Sequence, residues 1–227
     1  ADANWSDATG IPLSPWVGSS AAWFAANGGT PSVITVTNGL TVASVTINSG
    51  LYTITITNGG QISGGLAAST IGTGASGANN KVVVAGGAGG VSTWDLGGRL
   101  LYVGHNATTS TNNVLVIDGA GYPGTALVTN LGAGSHLGHC DLGSTGGGDN
   151  QLILTNGGWM VITGNPAFVI GYGAAGNAAL VTGTGSVWRG AGAPNTTVMN
   201  INSLGFNAGN NRLRVENGGA VSNIGLW

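Results

Sequence analysis

Apolar and polar positions alternate along the early chain. Val33-Ile34-Thr35-Val36-Thr37, Val45-Thr46-Ile47 and Tyr52-Thr53-Ile54-Thr55-Ile56-Thr57 interleave β-branched residues with Thr. Period-two alternation predicts strands with one wet face. The runs end at Asn38-Gly39, Asn48-Ser49-Gly50 and Asn58-Gly59-Gly60, so three sides follow one another at short, regular spacing. Farther on, apolar runs follow polar doublets. These are Asn79-Asn80 before Lys81-Val82-Val83-Val84, Asn112-Asn113 before Val114-Leu115-Val116-Ile117, Asp149-Asn150 before Gln151-Leu152-Ile153-Leu154, and Asn210-Asn211 before Arg212-Leu213-Arg214-Val215. Asn177-Ala178-Ala179-Leu180-Val181 is a shorter variant of the same phrase. Turns follow at Asp118-Gly119, Asn156-Gly157-Gly158 and Asn217-Gly218-Gly219.

A longer repeat overlies this punctuation. An aliphatic residue followed by Gly recurs at Ile71, Val103, Leu137, Ile170 and Leu204, at intervals of 32, 34, 33 and 34 residues. Asn-Gly can close an antiparallel hairpin, or it can turn a solenoid corner with a left-handed residue. A sandwich or jelly roll has no reason to return to one residue pair at a fixed interval, whereas a solenoid does. The pattern therefore predicts an all-β, parallel β-helix or solenoid with coils of about 33 residues and three strands. Equivalent positions then stack ~4.8 Å apart. Ile71, Val103, Leu137, Ile170 and Leu204 form an inward aliphatic column, with Gly72 through Gly205 beside it where the chain bends. Asn80, Asn113, Asn150 and Asn211 form an amide column that hydrogen-bonds along the axis. Residues 1–30, with Trp5, Trp16 and Trp23, read as a cap or docking segment, and 31–227 as the solenoid.

Composition narrows the function classes. The 227 residues include 45 Gly but only 5% charged residues, with a net charge of −2, against about 25% charged in ordinary domains. Five cations cannot form a phosphate-binding groove, so nucleic acid is excluded as a partner. A chain that is 42% hydrophobic is not of the disordered class. Gly does not fall at every third position, which excludes collagen. Cys140 is the only cysteine, so no internal disulfide is expected. No apolar run reaches the ~18 residues of a spanning helix. The opening Ala1-Asp2-Ala3-Asn4 looks like a secreted chain after signal cleavage, which places the protein outside the cell or on its surface.

Candidate chemistry is sparse. His105 and His139 fall at equivalent repeat positions, and His136 and Cys140 lie nearby. These residue types suit a zinc- or copper-like site. The competing reading is an aromatic column, because Tyr172 and Phe206 continue it without ligating ability, and that reading is preferred. Glycosidases need two carboxyls a few ångströms apart. Asp118 and Glu216 lie at turns of non-adjacent repeats, while Asp141 and Asp149 flank a Gly-rich loop. Catalysis is therefore not expected, and no cofactor is implied. Arg212, Arg214 and Glu216 are spaced to share one strand face, with Glu216 as a partner.

Three phrases resemble bacterial autotransporter-associated β-strand repeats: Asn-Gly-Gly-Ala-Val-Ser-Asn at 217–223, Gly-Thr-Gly-Ser-Val-Trp at 183–188 and Leu-Tyr-Val-Gly at 101–104. The likeness covers about 31–227, and the opening from Asn4-Trp5-Ser6 through Trp23 is similar to the segment that starts such passengers. The resemblance implies a right-handed β-helical, non-catalytic exported protein. Nothing in the chain looks like the amphipathic strands of a translocating outer-membrane barrel. The sequence stops at Trp227, 23 residues past Leu204, so the last coil is read as incomplete. A second copy, offering its Trp-rich segment, is expected to complete it head to tail. Such a contact does not close and builds a filament. Trp5, Trp16, Trp23 and Trp227 are the expected assembly residues. A surface adhesin binding glycans is the alternative, and a polysaccharide lyase or hydrolase the third.

Overall fold

The computed structural model describes residues 20–24, 31–48, 51–74, 76–105, 108–131, 140–142, 147–163, 168–171, 174–192, 197–201 and 209–226. In chain order the strands are β1 (Ala22–Phe24), β2 (Ser32–Val36), β3 (Gly39–Thr41), β4 (Val45–Ile47), β5 (Tyr52–Ile56), β6 (Gln61–Ser63), β7 (Ser69–Thr73) and β8 (Lys81–Ala85). They continue as β9 (Ser92–Asp95), β10 (Leu101–His105), β11 (Val114–Asp118), β12 (Ala126–Asn130), β13 (Cys140–Leu142), β14 (Gln151–Thr155) and β15 (Trp159–Ile162). The last are β16 (Phe168–Ile170), β17 (Ala178–Thr182), β18 (Val187–Gly190), β19 (Val198–Ile201), β20 (Arg212–Glu216), β21 (Ala220–Ser222) and β22 (Gly225–Leu226).

Every third strand joins the same sheet. Sheet I runs β1-β4-β7-β10-β13-β16-β19-β22, sheet II β2-β5-β8-β11-β14-β17-β20, and sheet III β3-β6-β9-β12-β15-β18-β21. The pairings are parallel, as in β8 with β11 and β9 with β12. The protein is thus a parallel β-solenoid whose coil visits sheets II, III and I in turn.

In sheet II alternate residues of each strand point to the axis and stack in columns. Ile54, Val82, Leu115, Leu152 and Ala179 form one column in sheet II, and Ile56, Val84, Ile117, Leu154 and Val181 its neighbour. All ten are buried. Sheet III contributes Ile62, Trp94, Val128, Met160 and Trp188. The two indoles are fully enclosed, and Trp188 packs edge-on against Phe168 of sheet I at 4.5 Å. Neither indole N–H has a hydrogen-bond partner. Each such orphan costs about 1–3 kcal/mol, set against the large apolar surface a buried Trp removes from water.

The aliphatic column of sheet I keeps Ile71, Val103 and Ile170 but not the other two expected members. Val103 lies opposite Leu142, and Ile170 opposite Ile201. Leu137 and Leu204 lie outside the described residues, and their places in the register are taken. Coil length is the reason: successive ladder positions are separated by 28, 33, 37, 27 and 34 residues. Strand register, not a constant interval, decides which side chain covers which.

The early strands also fold differently from expectation. Val33–Val36 and Tyr52–Ile56 are not two sides of one coil, because Ile34 lies directly opposite Ile54 in sheet II. The missing side is β3, only three residues long. The solenoid also begins within the segment read as a cap, since β1 pairs in parallel with β4. Trp23 sits on β1 and is 59% exposed; Trp5, Trp16 and Trp227 lie outside the described residues.

Two kinds of corner carry the polar residues. At the turn from sheet II to sheet III, Asn58-Gly59, Asn156-Gly157 and Asn217-Gly218 all have positive φ. The next amide, of Gly60, Gly158 or Gly219, closes the turn onto Thr57, Thr155 or Glu216 at 2.8–2.9 Å. Two positive-φ residues are what a type I′ turn requires, but here the turn joins two sheets instead of two antiparallel strands. The third position must be Gly, because a Cβ there would run into the carbonyl of Val36, Ile117 or Val181 on the neighbouring coil.

Candidate functional site

The corner from sheet I to sheet II holds the amide column. Asn80, Asn113, Asn150, Asn177 and Asn211 occupy it, all buried. From Asn113 onward each Oδ1 accepts two bonds from the Asn one coil earlier. Asn113 donates its backbone N–H (2.9 Å) and Nδ2 (3.1 Å) to Asn150 Oδ1, and Asn150 donates the same pair to Asn177 at 3.0 and 3.2 Å. Among the described residues the series runs from Tyr52, which donates its N–H to Asn80, to Asn211. Asn177 is the member that the sequence reading missed. The doublet signal fails there because its left-handed partner is Gly176 instead of Asn or Asp.

The doublets now have a division of labour. The first residue, Asn79, Asn112, Asp149, Gly176 or Asn210, takes positive φ and turns the chain. The second enters the ladder. The Gly that follows the aliphatic anchor has its reason here too. A Cβ at Gly72, Gly104 or Gly171 would occupy the place of the Asn113, Asn150 or Asn211 amide.

Outside the ladder lies an open groove lined by Asn112, Asp149, Gln151, Gly176, Ala178, Asn210 and Arg212. It exists because one coil contributes only small residues to two outward columns. Gly176 falls between Asp149 and Asn210, and Ala178 between Gln151 and Arg212. The walls are two strand spacings apart, ~9.6 Å, and the Asp149 carboxylate lies over the bare Cα of Gly176. One wall thus offers a carboxylate and the other a guanidinium, with amides around them. Neither Asp149 nor Arg212 makes an ion pair among the described residues, whereas Arg214 pairs with Glu216 as the spacing suggested. An exposed pair of this kind is worth less than about 1 kcal/mol.

Of the candidate ligand cluster, His105 and Cys140 lie among the described residues. His105 lies opposite Thr73, as its repeat position implied, and stacks on Tyr102 at 3.9 Å. Cys140, expected one position beyond the histidine column, instead lies opposite Leu101, at the other end of that strand. His136 and His139 lie outside the described residues. Among the described residues no three His, Cys, Asp or Glu side chains converge. Asp118 and Glu216 share one column three coils apart, ~14 Å, beyond the ~5–9.5 Å of glycosidase pairs. Asp118 serves its own turn, accepting from Ala120 N and Asn156 Nδ2. Burial raises the Tyr52 phenol above its ordinary value, so the ring beside Phe24 stays neutral at physiological pH.

The first and last described coils differ from those between them. Inward columns that are closed to solvent at Leu154 and Val181 reach Val215 at 44% exposure, and Leu213 and Val221 are also partly open. At the other end Ile34 and Val36 are partly exposed, while Ile54 and Ile56 above them are buried. β2 and β20 each have a strand on one side only among the described residues.

Architecture and corner chemistry together define the class, a three-sheet parallel β-solenoid with an internal Asn ladder. No protein-family model matches the chain, and no curated protein or solved structure is significantly similar to it. Among the described residues no helix is long and apolar enough to cross a membrane.

Proposed function

We propose that the protein is a non-enzymatic extracellular structural subunit whose coils stack end to end into a filament or sheath. The observation that carries this is the exposure of core columns on the first and last described coils. Core columns of Leu213, Val215 and Val221 meet solvent at one end, and those of Ile34 and Val36 at the other. Another copy placed there continues the same columns and offers a strand edge to each sheet. Burying such columns is favourable by roughly 25 cal/mol per Å² of apolar area. A net charge of −2 opposes it little. Arg212 and Arg214 on the terminal strand lie on its outer face, clear of the stacking columns. The resemblance to exported passenger repeats agrees with this reading.

Val215→Lys places a charge in the stacking column without touching the middle of the core. Negative-stain microscopy of the wild-type chain at about 100 μM is expected to reveal filaments, and the variant only short particles. Monodisperse wild-type particles at that concentration would sink the proposal.

A second reading, glycan contact by a surface adhesin, rests on the groove. Asp149, Gln151, Asn210 and Arg212 around a Gly/Ala floor supply the donors and acceptors that hydroxyl-rich rings need. Glycan-array retention that is lost in Arg212→Gln supports it; retention unchanged by that substitution removes it.

A further inference from the structure

Sheet II has an outer face that the filament reading does not use. Val83, Val116, Ile153 and Leu180 form one outward column over four successive coils, each partly exposed. Ala85, Val114 and Ala178 flank it. Thr35 and Thr55 continue the column at one end and Arg214 at the other. The strands beneath read Lys-Val-Val-Val-Ala, Val-Leu-Val-Ile-Asp, Gln-Leu-Ile-Leu-Thr and Ala-Ala-Leu-Val-Thr. Near-continuous apolar runs belong to strands covered on both faces, unlike the Thr alternation of β5.

We propose that this face is a lateral contact between two copies of the chain, packed sheet on sheet about a two-fold axis parallel to the strands. That axis reverses the coil order and keeps the columns in line. Val83 then meets Leu180 of the second copy, and Val116 meets Ile153. Lys81 faces Ala178, Asp118 faces Thr155, and Arg212, Arg214 and Glu216 face Thr53, Thr55 and Thr57. No like charges meet, and the apolar column is sealed by a polar rim, the usual anatomy of an interface. A two-fold axis along the solenoid fails this test. It would set Arg214 against its own copy and Asp118 against Val114.

Five-residue strands over six coils span about 17 Å by 29 Å, roughly 500 Å² per copy. A standard interface buries about 800 Å² per partner. An isolated pair is therefore weak. The contact strengthens where end-stacked copies repeat it, but it forms without end stacking.

The test uses the full chain carrying Val215→Lys, which holds end stacking off and reads the lateral contact alone. Sedimentation equilibrium up to about 1 mM is expected to give a monomer–dimer equilibrium. Adding Val116→Asp or Ile153→Lys weakens dimerisation at least about 10-fold. Mixing those two chains restores it to within about 3-fold, because each Asp then faces a Lys. A monomeric parent, or a mixture no better than its components, overturns the proposal. Should a charged variant fail to fold, Val83→Cys and Leu180→Cys chains, both carrying Cys140→Ser, are mixed with a short bis-maleimide. Positions 83 and 180 lie three strand spacings apart in the sheet, so cross-links between 83 and 180 (~10 Å) are expected to exceed 83–83 and 180–180 links (~17 Å), and equal yields also overturn it.

Discussion

Gly104→Ala is expected to lower the unfolding free energy by about 4 kcal/mol or more, read as a shift in the urea midpoint. Two costs combine. Gly104 has φ +78°, where an L-residue loses about 1–2 kcal/mol. In addition, its Cβ would overlap the Asn150 side-chain amide and the Ser110 carbonyl oxygen, so the ladder must move. Gly121→Ala is the control. Gly121 has nearly the same φ, +83°, but open space where the Cβ would go. Only the conformational cost should appear there. Equal losses at the two positions would show that the ladder does not press on Gly104.

Asn150→Ala is the second large effect, about 3–5 kcal/mol. It removes the acceptor of Asn113 N and Nδ2 and the donor to Gly147 O and Asn177 Oδ1. All lie at a corner closed to water, where each orphaned group costs about 1–3 kcal/mol. The two substitutions share one cause, so in an Asn150→Ala background Gly104→Ala should cost clearly less than alone. Asn150→Asp separates the acceptor role from the donor role. It keeps the oxygen that Asn113 needs but turns an ionised oxygen toward the acceptors Gly147 O and Asn177 Oδ1. The folded carboxyl is therefore raised above its ordinary ~3.9. The variant is most stable below that value and loses stability as pH rises through the folded pKa. A melting temperature independent of pH between 3 and 8 (roughly the range a carboxyl can reach here) would contradict it.

These substitutions also mark how far the sequence could be read. Asn80, Asn113, Asn150 and Asn211 were legible as a column because a buried amide repeated at a corner has one obvious use, bonding to its own kind along the axis. Gly72, Gly104 and Gly171 were legible as obligatory, although the obstacle itself, the next coil's ladder amide, was not. Asn177 escaped because Gly176 does the turning there, and the same Gly opens the groove. Leu142 and Ile201 escaped because nothing local marks them. They enter the column only through the register of β13 and β19 with their neighbours. The short strand β3 carries too few residues to display alternation. The apolar outer face of sheet II lay open in the runs at Val82, Leu115 and Leu152. Only stacking, however, turned Val83, Val116, Ile153 and Leu180 into one surface.

By itself the sequence determined the local rules: alternation makes a strand, a left-handed Asn, Asp or Gly turns the corner, and the Asn after it is buried with its amide committed. It thereby determined that coils stack in parallel. Tertiary structure alone decided which residue of one coil lies over which residue of the next. Corner loops absorb additions and deletions at little energetic cost, so distance along the chain does not fix the register. Hydrogen bonds between strands and the fit of side chains in the columns do, and both are interactions between coils.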